Sequence, residues 1–205
     1  MIKSFCKINL SLKVLKKLKI GLHDIQSNTM LLNLHDTLKV KKFHGKKDII
    51  IFKGNFKKMV NKSKNSVSDT IRILRKKNLI KKENKYKIIV NKKIPVFSGL
   101  GGGTSNAAFL IKHLTKNKIK SSKLKIFEKQ IGSDFKLFFY KQLFQKNLKK
   151  IIKYKKNFNF NFVLVYPNIQ CSTKTIYSKV KKYSDSSETD FSKIISKDKF
   201  VDSIR

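Results

Sequence analysis

Four of the chain's eight glycines fall in one pentapeptide, Gly99-Leu100-Gly101-Gly102-Gly103, and an apolar helical pattern begins directly after it. Glycine gives up more conformational freedom on folding than any other residue, so a cluster marks a place where the backbone turns sharply or approaches something closely. A glycine-rich turn that feeds a helix aims unpaired N–H groups and the positive end of the helix dipole at one point. Such a point binds anions, phosphate above all. A flexible surface loop is the alternative reading, but a well-formed helical pattern follows. Leu110, Ile111 and Leu114 continue an i, i+3/i+4 stripe, Ala107 and Ala108 permit close packing, and Thr104 or Ser105 is placed to cap the first turn.

This loop is neither of the two common phosphate loops. A P-loop needs Gly-x-x-x-x-Gly-Lys-Ser/Thr, and here Thr104 rather than lysine follows Gly103. A dinucleotide turn needs Gly-x-Gly-x-x-Gly, whereas the spacing is Gly99-x-Gly101-x-Gly103. No acidic residue lies about 20 positions on to take a ribose; Glu128 comes late and inside a lysine-rich helical pattern.

At 205 residues the chain is one large domain or two small ones, long enough to bury a core. Forty per cent hydrophobic residues and sixteen phenylalanines exclude disorder. No run approaches the ~18 apolar residues of a membrane span. The first strongly patterned segment starts too early for a signal or transit peptide, and Cys6 and Cys171 have no metal-type spacing. The expectation is a cytoplasmic protein with free thiols, not attached to a membrane.

The formal charge of +37 points first to nucleic acid. However, only Arg72, Arg75 and Arg205 among the 49 basic residues are arginine, the residue that base-edge readout and bidentate phosphate contacts favour. The lysines are spread along the whole chain. They read as a solvated surface that attracts polyanionic ligands, with no specific nucleic-acid partner.

The pattern predicts strands over 8–15, 29–41, 48–52, 86–90 and 160–166, with a turn around Gly21 between the first two. It predicts helices over 66–77, 104–115, 121–131 and 172–182, a turn at Gly132-Ser133-Asp134, and a polar loop over 184–190. Short strands mixed with helices give an α+β class rather than a regular parallel βαβ series.

Four pieces occur in order: Cys6-Lys7-Ile8-Asn9-Leu10, Gly21-Leu22-His23, the loop 95–108, and Gly132-Ser133-Asp134. Together they resemble the GHMP kinase superfamily. Within it they resemble the 4-diphosphocytidyl-2-C-methyl-D-erythritol kinase family of the non-mevalonate isoprenoid pathway. That family opens with Ala-Lys-Ile-Asn-Leu, continues with Gly-Tyr-His, and carries Pro-x-Gly-x-Gly-Leu-Gly-Gly-Gly-Ser-Ser-Asn/Asp-Ala-Ala and then Gly-Ala/Ser-Asp-Val-Pro. The resemblance runs from Ser4 to about Tyr183.

The resemblance implies a GHMP kinase fold: a ribosomal-protein-S5-like N-terminal domain over 1–155 and an incomplete ferredoxin-like C-terminal domain over 156–205. It implies ATP with Mg²⁺ and phosphorylation of the 2-hydroxyl of a cytidine-diphosphate-linked methylerythritol. Asp134 matches the catalytic aspartate, which accepts or orients the proton of the attacking hydroxyl, and Lys7 the lysine that acts with it. Pro95, Gly99, Leu100, Gly101, Gly102, Gly103, Thr104, Ser105 and Asn106 match the ATP site, with Ser105 as metal ligand. Asn9 and His23 match the cytidine site; Tyr177 matches the aromatic that stacks on the base, with Thr173 nearby. A kinase for another small alcohol, such as mevalonate or homoserine, stays open, as does an inactive lysine-rich fragment that binds nucleic acid non-specifically. A monomer or weak dimer is expected.

Three departures from the family pattern bear on the site. Leu22 stands at the tyrosine and supplies no π face. Phe97 stands at the first loop glycine, where a position with φ > 0 would strain it. No glycine follows Gly132, although the family carries a third glycine-rich motif, so the chain reads as C-terminally truncated.

Overall fold

A computed structural model describes residues 1–167, 169 and 173–204. The chain forms two compact units, one of 1–6 with 32–139 and one of 7–31 with 140–205. This division does not follow a cut near residue 155. The reason lies in two long strands, β1 (Ile2–Lys17) and β2 (His23–Phe43), each of which contributes residues to both units. They pair with each other, and the turn around Gly21 joins them: Gly21 lies at φ 77°, and Leu18 N–H donates to Leu22 O at 2.7 Å.

In the first unit, the later part of β2 pairs antiparallel with β4 (Lys85–Asn91), from Thr37↔Asn91 to Phe43↔Lys85. On the other side of β4 lies β3 (Ile49–Lys53), parallel to it from Ile49↔Lys87 to Lys53↔Asn91. Parallel neighbours need a crossover, and α1 (Ser66–Lys76) supplies it. Asn65 caps α1 by accepting from Ser68 N–H at 3.0 Å, and Val67, Ile71 and Leu74 form its buried stripe. Tyr86, Ile88 and Val90 alternate on the buried face of β4. Arg75 at the end of α1 holds Asp48 with two bonds of 2.5 and 2.7 Å and donates to Asn84 O at 2.7 Å, so one guanidinium fixes the starts of β3 and β4. Helix α2 (Gly102–Leu114) packs on α1 and buries Ala107, Ala108, Leu110 and Ile111. Helix α3 (Ser121–Gln130) adds Leu124 and Phe127, and Phe127 stacks on Phe135 with centroids 5.5 Å apart.

In the second unit, the earlier part of β2 pairs antiparallel with β5 (Gln142–Gln145), and β5 with β6 (Ile151–Lys153). Phe144, Tyr154, Phe158, Phe191 and Phe200 form its aromatic core. Tyr154 donates to Asn28 Oδ1 and, at 3.1 Å, to Leu143 O; burial pushes its phenol well above the ordinary value of 10.0. Two short helices complete the unit, α4 (Thr173–Ser178) and α5 (Lys197–Ile204).

Most of the expected elements are present, and the mixed α+β class holds. The strand expected over 160–166 does not form. Phe160 packs against the aromatic core, and Val163 and Val165 face solvent at 92% and 86% exposure. An apolar run becomes a strand only where a ladder partner lies alongside, and these residues have none among the described ones. The helix expected over 172–182 ends early, at Ser178; Ser172 lies outside the described residues, as does Cys171. No helix among the described residues is long and apolar enough to cross a membrane.

Candidate active site

The glycine-rich segment leaves β4 and enters α2. Three of its residues occupy the left-handed region: Phe97 at φ 61°, Gly99 at 75° and Gly101 at 70°. Gly101 is the N-cap of α2, and no side chain caps that helix. The expected cap by Thr104 or Ser105 is therefore corrected. The helix starts at Gly102, two residues before Thr104 and directly after the left-handed Gly101, and both hydroxyls already lie inside it. The first N–H groups of α2 thus open onto the loop, the arrangement that favours an anion.

Asp134 lies against this helix start. A Cβ added at Gly101 would come 3.2 Å from Asp134 Oδ2 and 2.7 Å from Phe138 Cζ, so glycine is what permits the approach. A Cβ at Gly132 would come 3.1 Å from Asp134 Oδ1 and 3.3 Å from Thr104 Oγ1, so the carboxylate and the Thr104 hydroxyl face one point. The expected turn at 132–134 is present, with Phe135 N–H donating to Gly132 O at 3.0 Å. The 3₁₀ turn Phe135–Phe139 then buries Phe135 and Phe138. Lys112 of α2 clamps this turn by donating to Phe138 O at 2.7 Å while lying over the Phe109 and Phe139 rings. Burial pushes the Lys112 ammonium below its usual value of 10.5.

Pro95 and Leu100 are half-buried in the loop, and Gly103 lies 3.5 Å, by its absent Cβ, from Ser66 Oγ at the start of α1. Two residues expected at the phosphates face inward instead. Ser105 is fully buried and donates to Phe5 O at 2.6 Å, with Ser4 Oγ at 2.7 Å, which commits the hydroxyl expected to bind a metal. Asn106 is buried as well. Its amide donates to Asp36 Oδ2 and Ser4 Oγ, both at 3.0 Å, and accepts from Lys92 Nζ at 3.3 Å. Helical periodicity puts Asn106 four residues beyond Gly102 on the core side, so these two side chains support the loop from beneath. Asp36 and Lys92 belong to this support. Sequence reasoning missed both, and the sole signal was an aspartate in an apolar strand of a chain with 12 acidic residues.

The second unit brings the remaining expected residues into two pairs. Lys7 and Asn9 share a face of β1, and Lys7 Nζ donates to Asn9 Oδ1 at 3.1 Å. His23, first residue of β2, stacks on Tyr177 of α4 with centroids 5.3 Å apart and planes at 22°. Tyr183 lies on the same histidine at 6.4 Å and 33°. Leu22 is 43% exposed beside them. Thr173 opens α4, and its side chain lies outside the described residues. Lys7 belongs to the second unit and Asp134 to the first. Among the described residues no group of three or more His, Cys, Asp or Glu is arranged to hold a metal ion.

The family of GHMP kinases N-terminal domains matches residues 65–134, which run from the cap of α1 to Asp134. A 4-diphosphocytidyl-2-C-methyl-D-erythritol kinase of Pelagibacter ubique is 38% identical over 187 residues, covering 89% of this chain and 66% of that protein. One from Sulfurihydrogenibium sp. is 31% identical over 196 residues, covering 93% and 68%. The chain spans 60 to 66% of the length of the first relatives that it matches. Among solved structures, a 4-(cytidine 5'-diphospho)-2C-methyl-D-erythritol kinase crystal structure superposes with a TM-score of 0.51 at 21% identity, over 70% of this chain and 50% of that one. That likeness concerns the fold.

Proposed function

The chain belongs to the 4-diphosphocytidyl-2-C-methyl-D-erythritol kinase family within the GHMP kinases, and on that premise we propose that it transfers the γ-phosphoryl group of ATP to the 2-hydroxyl of 4-diphosphocytidyl-2-C-methyl-D-erythritol. The observation that carries this reading is the approach of Asp134 to Gly101, which brings a carboxylate to the open N-terminus of α2. Phosphoryl transfer proceeds through a loose transition state, so placing the reactants and stabilising charge do most of the catalysis. The N–H groups of Gly102, Gly103 and Thr104 bind the phosphate oxygens. The Asp134 carboxylate orients the attacking hydroxyl and takes its proton. A bond forms between that oxygen and the γ-phosphorus, the bond to the bridging oxygen breaks, and ADP leaves with the electron pair. Lys7 matches the lysine that the family pattern assigns to the same step.

Mg²⁺ suits the chemistry of these donors. This ion keeps several waters and binds through one or two carboxylates plus substrate phosphates rather than in an all-protein cage. Asp134 and the Thr104 hydroxyl are the groups that would reach it; bound there, it would neutralise charge on the phosphates. His23 and Tyr177 bind the cytosine, with Asn9 as a polar contact on the cytidine end. The same reading puts the protein in the cytoplasm.

The test is Asp134→Asn. The expected result is loss of phosphoryl transfer with binding of a non-hydrolysable ATP analogue retained. Turnover near that of the unaltered protein would overturn the role of Asp134.

A further inference from the structure

Beneath the glycine-rich loop lies an ion pair that the transfer step does not use. Asp36 of β2 has no exposed surface, and Lys92, just past β4, has 3%. The Asp36 carboxylate accepts four hydrogen bonds from the stems of the loop. Oδ1 accepts from the backbone N–H groups of Lys93 at 2.7 Å and Ile94 at 2.9 Å, on the stem that enters the loop. Oδ2 accepts from Lys92 Nζ and, at 3.0 Å, from Asn106 Nδ2 on the helix that leaves it. Four donors fill the acceptor sites of one carboxylate. The ammonium of Lys92 lies 3.3 Å from where a Cβ of Gly102 would stand, directly under the first residue of α2.

Burying two charges is expensive, and a well-packed apolar pair often gives equal or greater stability. Stability is therefore a poor account of this pair. Its geometry gives a better one: a single carboxylate fixes residues 92–94 against Asn106, and so fixes how far apart the two ends of the 95–101 loop stand. The loop itself carries left-handed residues at 97, 99 and 101 and has no side-chain cap. Its N–H groups converge on one point only if both stems are held.

We propose that Asp36, through Lys92 and Asn106, is the positioning residue of the phosphate loop and sets its affinity for the nucleotide triphosphate. The inference rests on the reading of this loop as the ATP site. Asp36→Asn keeps an acceptor for the two backbone N–H groups but turns an NH₂ toward Lys92 and Asn106. Adding Lys92→Met removes the ammonium left without its counter-charge.

The experiment measures a non-hydrolysable ATP analogue, the cytidylated substrate and the melting temperature in the full chain. Asp36→Asn and Asp36→Asn/Lys92→Met should each bind the analogue about tenfold more weakly or worse, with affinity for the cytidylated substrate within about twofold. The double variant should melt above the single one yet stay weak for the analogue. Recovery of analogue affinity together with melting temperature in the double variant would reduce the pair to a stabilising role and overturn the inference. So would unchanged analogue affinity in Asp36→Asn. If the unaltered chain binds no analogue, the ATP reading of the loop fails and the inference fails with it; that control separates the two cases.

Discussion

His23 lies flat against Tyr177, with ring centroids 5.3 Å apart and planes at 22°. The two rings come from the two separate chain segments of the second unit, β2 and α4, and meet with Tyr183 on the same histidine. A pyrimidine base has a π face that such a surface stacks on, and base–aromatic stacking contributes about 1–3 kcal/mol per base. Tyr177→Ala should therefore weaken binding of the cytidylated substrate by roughly tenfold while leaving the affinity for an ATP analogue unchanged. Equal affinities for the cytidylated substrate in titration calorimetry would remove Tyr177 from the site.

Phe97 holds φ 61° while 54% exposed, where the family pattern has glycine. A left-handed conformation costs an L-residue about 1–2 kcal/mol. Phe97→Gly removes that strain but adds unfolded-state entropy, which offsets part of the gain. The expected net result is a stability increase of about 0.5–1 kcal/mol in denaturant unfolding, with stronger ATP-analogue binding. A loss of stability would show that the phenylalanine makes contacts worth more than its strain.

Gly101→Ala should abolish nucleotide binding. The added methyl would meet Phe138 Cζ at 2.7 Å and Asp134 Oδ2 at 3.2 Å, at a φ of 70° that alanine rarely adopts. Gly103→Ala meets only ordinary contact, 3.5 Å from Ser66 Oγ, and should fold normally. Thermal melts with and without the ATP analogue distinguish the two: the analogue should raise the melting temperature of the Gly103 variant and not that of the Gly101 variant.

Asp48 and Arg75 make stability depend on acid. Burial alone would push the Asp48 carboxyl up, but the bonds and charge of Arg75 and the Tyr86 N–H outweigh it and hold the group below its usual 3.8. A depressed carboxylate stabilises fully above its unfolded value, and that contribution is lost as pH falls through the lower folded value. Asp48→Asn should cost about 1–3 kcal/mol at neutral pH. The difference from the unaltered protein should shrink as the pH drops below 3.8. A difference that stays constant into strong acid would contradict the assignment.

The glycine-rich loop, α1, α2 and β4 were legible because local composition and periodicity decide them, although the expected cap of α2 was not. The left-handed demand at position 97 was legible from the motif. Other features depend on partners distant in sequence. Residues 160–166 look like a strand but lack a ladder partner among the described residues. β5 is fully buried although half of it is glutamine; Gln142 satisfies its amide on the Phe158 backbone at 2.6 and 2.7 Å, whereas Gln145 Oε1 has no hydrogen-bond partner among the described residues. Ser105 and Asn106 matched a phosphate-binding motif, yet they are buried side chains of α2. Lys92 was hidden among the lysines, and Asp36 shows its purpose only where β2 passes under the loop.

The most direct measurement of the central claim is ADP release from ATP and Mg²⁺ by the 205-residue chain, with and without 4-diphosphocytidyl-2-C-methyl-D-erythritol and with mevalonate or homoserine in its place. The account predicts ADP release that depends on the cytidylated alcohol and is absent with the other two. Release driven by mevalonate or homoserine, or no release with the cytidylated alcohol, would contradict it.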